Sequence, residues 1–216
     1  MNHPAVSIII PAFNAEEHIE SCINSCLTQT IDQNFEIIIC DDASTDTTVD
    51  IINFLYNDYE NIILLKNELN IGVGGTRNKA IKNAKGRYIF LLDADDYIHP
   101  NTLNILTTFL ELRPDIDMAY SDYVYVDNKD QKSRRIDANH RPIACSRIIR
   151  KSIYAKHGLY SNIRIGEEKE FAERLNQVGV TKLHIQLPLY RYRQHNLSIT
   201  SEYERNRSYD CNKNDE

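Results

Sequence analysis

The sequence lacks a surplus of positive charge, and its formal net charge of −6 removes the general polyanion binders, whose affinity comes from basic residues neutralising phosphates. No nucleic-acid partner is expected. It also lacks paired cysteines of the metal-binding kind. The five that occur, Cys22, Cys26, Cys40, Cys145 and Cys211, are an odd number and none forms a Cys-x-x-Cys pair suited to zinc. Cys22 and Cys26, four apart on a helical pattern, read as buried thiols. No basic leader, long apolar h-region or small-residue cleavage site precedes the first apolar run at Val6, which sets cytoplasmic residence as the expectation. Internal repeats and low-complexity blocks are missing, and no stretch is amphipathic enough to assert a membrane-surface helix.

What is present is a chain of 216 residues, 42% hydrophobic and 26% charged, which is the composition of a soluble globular domain with a sizeable core. Val6-Ser-Ile-Ile-Ile10, closed by Pro11, reads as a strand, and Ile19, Ile23 and Leu27 recur at helical spacing within residues 16–30, with Asn14 as the expected cap. Further strands are expected at 35–40, 62–66 and 88–92, alternating with helices at 47–56, 75–84 and 100–112. Near-continuous apolar strands alternating with helices call for an α/β fold with a mostly parallel sheet covered on both faces.

Beyond Asp115 the pattern loosens. Residues 118–126 read as a strand, 127–141 as a mobile polar loop, 146–157 and 167–177 as helices, and 183–193 as a strand pair or extended segment around Pro188. Residues 201–216 are almost wholly polar and are expected to be poorly ordered.

Ligands of such sheets bind at the carboxyl ends of the strands. Asp41-Asp42 and Asp93-Ala-Asp-Asp96 each follow a predicted strand, so both acidic clusters are expected to line one crevice. Carboxylates packed together repel one another unless a cation is present. Asp-x-Asp spacing of hard oxygen ligands suits Mg²⁺ or Mn²⁺ shared with a phosphorylated ligand. On spacing alone a second reading stays open, in which Asp95-Asp96 caps the next helix and Asp93 is a solvated strand end. Asn70-Ile-Gly-Val-Gly-Gly-Thr-Arg77 likewise has two readings: backbone amides and an arginine gripping an anion, or a tight turn into a helix. It has neither the third glycine of a dinucleotide fingerprint nor the Gly-Lys-Ser/Thr ending of a P-loop.

Taken in order, Val6-Ser-Ile-Ile-Ile-Pro-Ala-Phe-Asn14, Asp41-Asp-Ala-Ser-Thr-Asp46, Asn70-Ile-Gly-Val-Gly-Gly-Thr-Arg-Asn78 and Asp93-Ala-Asp-Asp96 resemble the signature of family-2 glycosyltransferases with the GT-A fold. The resemblance covers roughly residues 5–197. It implies a Rossmann-like sheet with a small mixed second sheet in the C-terminal half, and a single domain over residues 1–200, in which 1–97 bind the donor and 98–200 shape the acceptor side. It further implies an inverting transferase that uses Mn²⁺ or Mg²⁺ and takes a sugar from a nucleotide diphosphate sugar, most often a UDP-sugar. The implied acceptor is a saccharide or lipid-linked saccharide at the inner face of the cytoplasmic membrane, in surface polysaccharide or glycoconjugate assembly.

The resemblance also implies residue roles. Pro11, Ala12, Phe13 and Asn14 match the loop that holds the nucleobase, with Phe13 packing on the ring, and Asp42 matches the acceptor of a base N–H, with Asp41 and Glu17 beside it. Arg77 matches a basic residue near base and diphosphate; Asp93 and Ala94 belong to the Asp-x-Asp motif, with Asp93 on the ribose side, Asp95 the direct metal ligand and Asp96 toward the donor sugar. Ile165-Gly-Glu-Glu168 resembles the family's Gly-Glu-Asp segment, which makes Glu168 the general base, in place of the usual Asp, and Glu167 the alternative. Tyr190-Arg-Tyr-Arg-Gln-His195 resembles the closing segment, with His195 a further metal ligand or diphosphate contact and Arg193 a second cationic contact. Two other classes stay open beside this one. A non-catalytic nucleotide-sugar-binding module would share every motif, whereas a nucleotidyltransferase would need a Gly-rich, Lys-containing loop where Pro11-Ala-Phe-Asn14 stands.

Overall fold

A computed structural model describes residues 3–127, 130–163 and 166–194. The elements run β1 (Val6–Ala12), α1 (Ile19–Leu27), β2 (Phe35–Asp41), α2 (Thr48–Tyr56), β3 (Ile62–Lys66), α3 (Gly72–Asn83), β4 (Tyr88–Leu91), β5 (Tyr97–Ile98), α4 (Thr102–Leu112), β6 (Met118–Val126), β7 (Lys132–Ile136), β8 (Arg147–Arg150), α5 (Lys151–His157), α6 (Glu167–Gln177) and β9 (Lys182–Arg193).

Among the described residues the strands form one sheet in the order β3-β2-β1-β4-β8-β6-β9-β5, with β7 paired to β6 off that path. β1 to β4 pair in parallel, β8 runs antiparallel between β4 and β6, and β9 lies parallel to β6 and antiparallel to β5. The mixed portion, expected as a small second sheet, is therefore joined to the parallel half through β8.

Side chains alternate across a strand, so the apolar runs feed two layers. Ile8, Ile10, Ile37, Ile39 and Phe90 pack with Ile19, Ile23, Ile52, Leu103 and Leu106 from α1, α2 and α4. Ile9, Ile38, Ile89 and Leu91 pack with Ala80, Ile81, Ile153, Phe171 and Leu175 from α3, α5 and α6. Each of these Ile, Leu and Phe side chains contributes about 1.5–3 kcal/mol on burial. This covering of both faces is why the strands read as unbroken apolar runs.

Several elements differ from the sequence expectation, among them β5, which it did not include. β1 continues through Pro11 to Ala12, because its pairing with β4 ends at Ile9 and the missing N–H falls where that ladder has stopped. The expected helix at 146–157 is split: Ile148 and Ile149 are buried in β8 between β4 and β6, and only α5 is helical. The stretch expected as a mobile loop contains β7, an exposed strand paired to β6. Residues 182–193 form one strand, with the register shifting where Pro188 faces Asp122.

Candidate functional site

β1, β2 and β4 run in parallel with Ala12 opposite Asp41 and Ile9 opposite Leu91, so the loops that follow them open on the same edge of the sheet, as the acidic clusters led one to expect. Pro11 is half-buried, Ala12 and Ala94 are buried, and Phe13 leaves 50% of its surface exposed, a ring available for stacking at the mouth of the edge. Asn14 takes a left-handed backbone (φ 49°). Its N–H donates to Ser44 Oγ at 2.9 Å and its Oδ1 accepts from the Thr45 N–H at 2.8 Å. It therefore staples the loop after β1 to the loop after β2. It does not cap α1, which starts after His18 with no side-chain cap. Glu17 stands in solvent, with 71% of its side chain exposed and His18 at 3.9 Å.

The two aspartates after β2 divide differently from the expectation. Asp42 Oδ1 accepts from the Ile71 N–H (2.9 Å) and Asn67 Nδ2 (2.8 Å), and Oδ2 accepts from the Gly72 N–H (2.9 Å). The anion at the N-terminus of α3 is thus a side chain of the protein itself. Of the two readings of the glycine-rich segment, the turn into a helix is the one seen here, with Gly74 and Gly75 inside α3. Asp41 is 3% exposed, its Oδ2 accepts from the Ser44 N–H at 3.2 Å, and its Oδ1 is buried without a hydrogen-bond partner. The spare acceptor belongs to Asp41.

At the end of β4 the carboxylates separate by burial. Asp96 is 2% exposed; Oδ2 accepts from Tyr190 Oη at 2.5 Å and Oδ1 from the Arg193 N–H at 2.7 Å. Burial, reinforced by Asp95 and Asp93, pushes its carboxyl well above the ordinary range. Asp96 therefore locks the β4–β5 turn to β9. Arg193 is tied into the same turn. Its guanidinium is enclosed, donating to the Asp95 carbonyl (3.0 Å) and the Asp127 carbonyl (3.2 Å) and pairing with Asp130 (2.8 Å). Asp93 and Asp95 are only partly buried and are the carboxylates that reach the crevice.

Arg77 is the most buried cation of the site, 1% exposed. Its Nη2 lies 2.8 Å from Asp93 Oδ1, and its Nη1 lies 2.6 Å from Glu168 Oε1 and 3.7 Å from Glu167 Oε1. Burial opposes its charge, yet Asp93 and Glu168 outweigh burial and hold the guanidinium firmly protonated. Both ends of its fork are occupied by carboxylates. Burial raises the carboxyl of Asp93 above its usual range against the pull of Arg77, and burial likewise raises that of Glu167. Glu167 and Glu168 open α6 behind Gly166, whose φ of 90° is one that glycine adopts without strain. The Glu167 side chain is 7% exposed and that of Glu168 39%, so Glu168 is the more open of the two.

Asp93 and Asp95 suit a hard divalent cation: they offer carboxylate oxygens on the open side of a cluster in which carboxylates outnumber guanidiniums. His195 and the segment 201–216 lie outside the described residues. Among the described residues a second group of ligand types, Asp122, Asp137 and His184, has its candidate atoms within 4.8 Å of one another. There, however, Asp122 is already matched by Arg135, His184 and the Ala138 N–H.

The family model for glycosyl transferase family 2 matches residues 7–200, and the chain belongs to that family. It is 46% identical over 118 residues to the UDP-Glc:alpha-D-GlcNAc-diphosphoundecaprenol beta-1,3-glucosyltransferase WfaP of Escherichia coli, covering 55% of this chain and 45% of that protein. It is 44% identical over 100 residues to the poly(ribitol-phosphate) beta-glucosyltransferase of Bacillus spizizenii, covering 45% of this chain and 16% of that protein. The chain thus spans less than half the length of these relatives. In fold it is similar to S. aureus TarS 1-349 in complex with UDP (TM-score 0.75, 22% identity, 92% of this chain and 62% of that one). It is also similar in fold to the mannosyltransferase PcManGT from Pyrobaculum calidifontis in complex with GDP-Man and Mn2+ (TM-score 0.70, 16% identity, 88% of this chain and 57% of that one).

Sequence reasoning gave no role to Tyr190, Cys145, Asn67 or Asn78. Tyr190 joins Asp96 to the Asp93 N–H (3.3 Å), and buried Cys145 touches Arg77 (3.8 Å). Tyr190 opens the quoted closing segment and Asn78 follows Arg77, so adjacency to a motif was their available signal.

Proposed function

We propose that the chain is the catalytic part of an inverting glycosyltransferase that moves a sugar from a nucleoside diphosphate sugar, UDP-linked first among the candidates, to a hydroxyl of a saccharide or lipid-linked saccharide. The observation that carries the reading is the meeting, across Arg77, of a donor-side carboxylate at a strand end, Asp93, with an acceptor-side carboxylate on a helix, Glu168. The UDP complex of one structural neighbour, the GDP-Man and Mn2+ complex of another and the lipid-linked substrate in the WfaP name support it. So does membership of the family. No helix of the described residues is long and apolar enough to cross a membrane, and action at the inner face of the cytoplasmic membrane is part of the proposal.

Phe13 stacks on the nucleobase and Asp41 Oδ1, the buried oxygen without a partner, accepts its N–H. Asp93 and Asp95, with His195, would hold Mg²⁺ or Mn²⁺, which when bound supplies charge for the departing diphosphate. Glu168 takes the proton from the acceptor hydroxyl as its oxygen attacks the anomeric carbon opposite the leaving group. Arg77 holds Glu168 in place through an ion pair at 2.6 Å. Surface polysaccharide or glycoconjugate assembly is the setting of this reaction.

A screen of UDP-, GDP- and dTDP-sugars for Mn²⁺-dependent thermal stabilisation tests the reading, because a ligand of the native state raises its apparent stability. At least one donor should shift the melting curve only with metal present. A flat response across the panel would sink the proposal.

A further inference from the structure

We propose that residues 74–78 of α3 are the seat that positions the base Glu168, with Arg77 a positioning residue that ties it to the donor-side Asp93. The inference rests on the reading of Glu168 as base and adds how its place is set.

Three positions on one stretch of helix address Tyr160, Ser161, Glu167 and Glu168. Arg77 reaches Glu168 at 2.6 Å and Glu167 at 3.7 Å with one end of its fork, and Asp93 at 2.8 Å with the other. Gly74, one turn earlier on the same face, leaves room for Glu167: a Cβ there would stand 3.0 Å from Glu167 Cγ and 3.5 Å from the Ser161 carbonyl oxygen. Asn78 clamps Tyr160 at two points, donating from Nδ2 to its carbonyl (2.8 Å) and accepting its N–H at Oδ1 (2.9 Å). The Tyr160 ring then lies under the Arg77 guanidinium, 5.7 Å away, and against Phe171 of α6, centroids 4.5 Å apart. α3 is itself pinned to the end of β2 by Asp42. A continuous chain of contacts thus runs from the strand ends to the base.

Stability alone does not select this arrangement. Buried ion pairs are weak stabilisers against apolar packing, and the Arg77 Nε is buried without an acceptor, which costs about 1–3 kcal/mol. What the guanidinium provides is geometry, a rigid planar fork that fixes two carboxylates at once, which a lysine cannot reproduce. Misplacement of a reacting group by about 1 Å costs on the order of 10²-fold in rate. The glycine-rich motif therefore serves the acceptor side of the reaction, through the base, and Asp93 and Glu168 are coupled through one side chain.

The test uses Arg77→Lys, Gly74→Ala, Glu168→Gln and the double variant Arg77→Lys/Glu168→Gln. Each is measured for binding and turnover of whichever UDP-, GDP- or dTDP-sugar stabilises the protein with Mn²⁺, followed as nucleoside diphosphate release. Arg77→Lys and Gly74→Ala should each lower kcat by roughly 10–100-fold while the donor Kd stays within about threefold of the parent. Adding Arg77→Lys to Glu168→Gln should lower kcat little further, since a positioning residue has nothing left to position. The inference is overturned if Gly74→Ala keeps kcat within twofold, if Arg77→Lys raises the donor Kd with kcat retained, or if the two losses multiply in the double variant. Should Arg77→Lys fail to fold, Gly74→Ala alone decides between these outcomes. A parent that turns over no donor, or a Glu168→Gln variant that keeps its kcat, overturns the base reading and this inference together. A Glu168→Gln loss beside an unaffected Gly74→Ala removes this inference only.

Discussion

The Asp42 carboxylate accepts the Gly72 N–H at 2.9 Å, so the first turn of α3 is capped by a strand-end aspartate from 30 residues earlier. Its neighbour Asp41 keeps a buried oxygen without a hydrogen-bond partner. Adjacent residues of one motif thus differ: one caps a helix, and the other keeps an unused acceptor. Asp42→Ala should lose about 1–3 kcal/mol of stability in urea melts through the missing cap and the amides it leaves unpaired. Asp41→Asn should keep the melting curve and weaken UDP binding by roughly 10–100-fold in calorimetry, the loss of a hydrogen bond to a charged acceptor. The reverse pattern would return the base contact to Asp42.

Tyr190 Oη donates to Asp96 and accepts the Asp93 N–H, which ties β9 to the acidic turn. Tyr190→Phe leaves a buried carboxylate oxygen without its donor and should cost about 1–3 kcal/mol, read as a lower urea midpoint at unchanged m-value. An unchanged midpoint would mean that Asp96 finds another partner.

Asp122 is 1% exposed, and although burial raises its carboxyl, hydrogen bonds from Ala138, Arg135 and His184 outweigh burial and hold it below the usual range. Its contribution to stability is therefore present above the unfolded value of about 3.9 and is lost as pH falls through the lower folded value. Asp122→Asn should lower stability by about 1.5–3 kcal/mol at pH 7, and the gap to the parent should close as pH falls below about 4. A gap that is constant with pH would assign the loss to packing.

Asp93 and Asp95 are the two half-buried carboxylates at the end of β4. Asp95→Ala should abolish the effect of Mn²⁺ on UDP binding, which in the parent should be about tenfold or more, while the metal-free melting temperature stays level or rises as repulsion is relieved. Retained metal dependence would move the ion site elsewhere, with Asp122, Asp137 and His184 the next place to look.

Much of the parallel half was legible because the strands are buried on both faces and carry unbroken apolar runs with helices between. β8 was not, since Arg147-Ile-Ile-Arg150 is too short to tell strand from helix by period, and its pairing with β4 and β6 is non-local. β7 was hidden by its polarity, the ordinary character of an exposed edge. At the site, spacing located the acidic clusters but not the division of labour within them. Only the fold shows Asp42 turned to α3, Asp96 to β9 and Arg77 to Glu168.

The central claim, a catalytic transferase whose base is Glu168, meets its most direct test in paired calorimetry and turnover on the parent and Glu168→Gln. With the stabilising nucleotide sugar and Mn²⁺ present, both should bind donor with the same Kd, and the variant should lose about 10²–10⁴-fold in nucleoside diphosphate release, the usual contribution of a general base. Equal release from parent and variant, or donor binding by a parent that releases nothing, would contradict it.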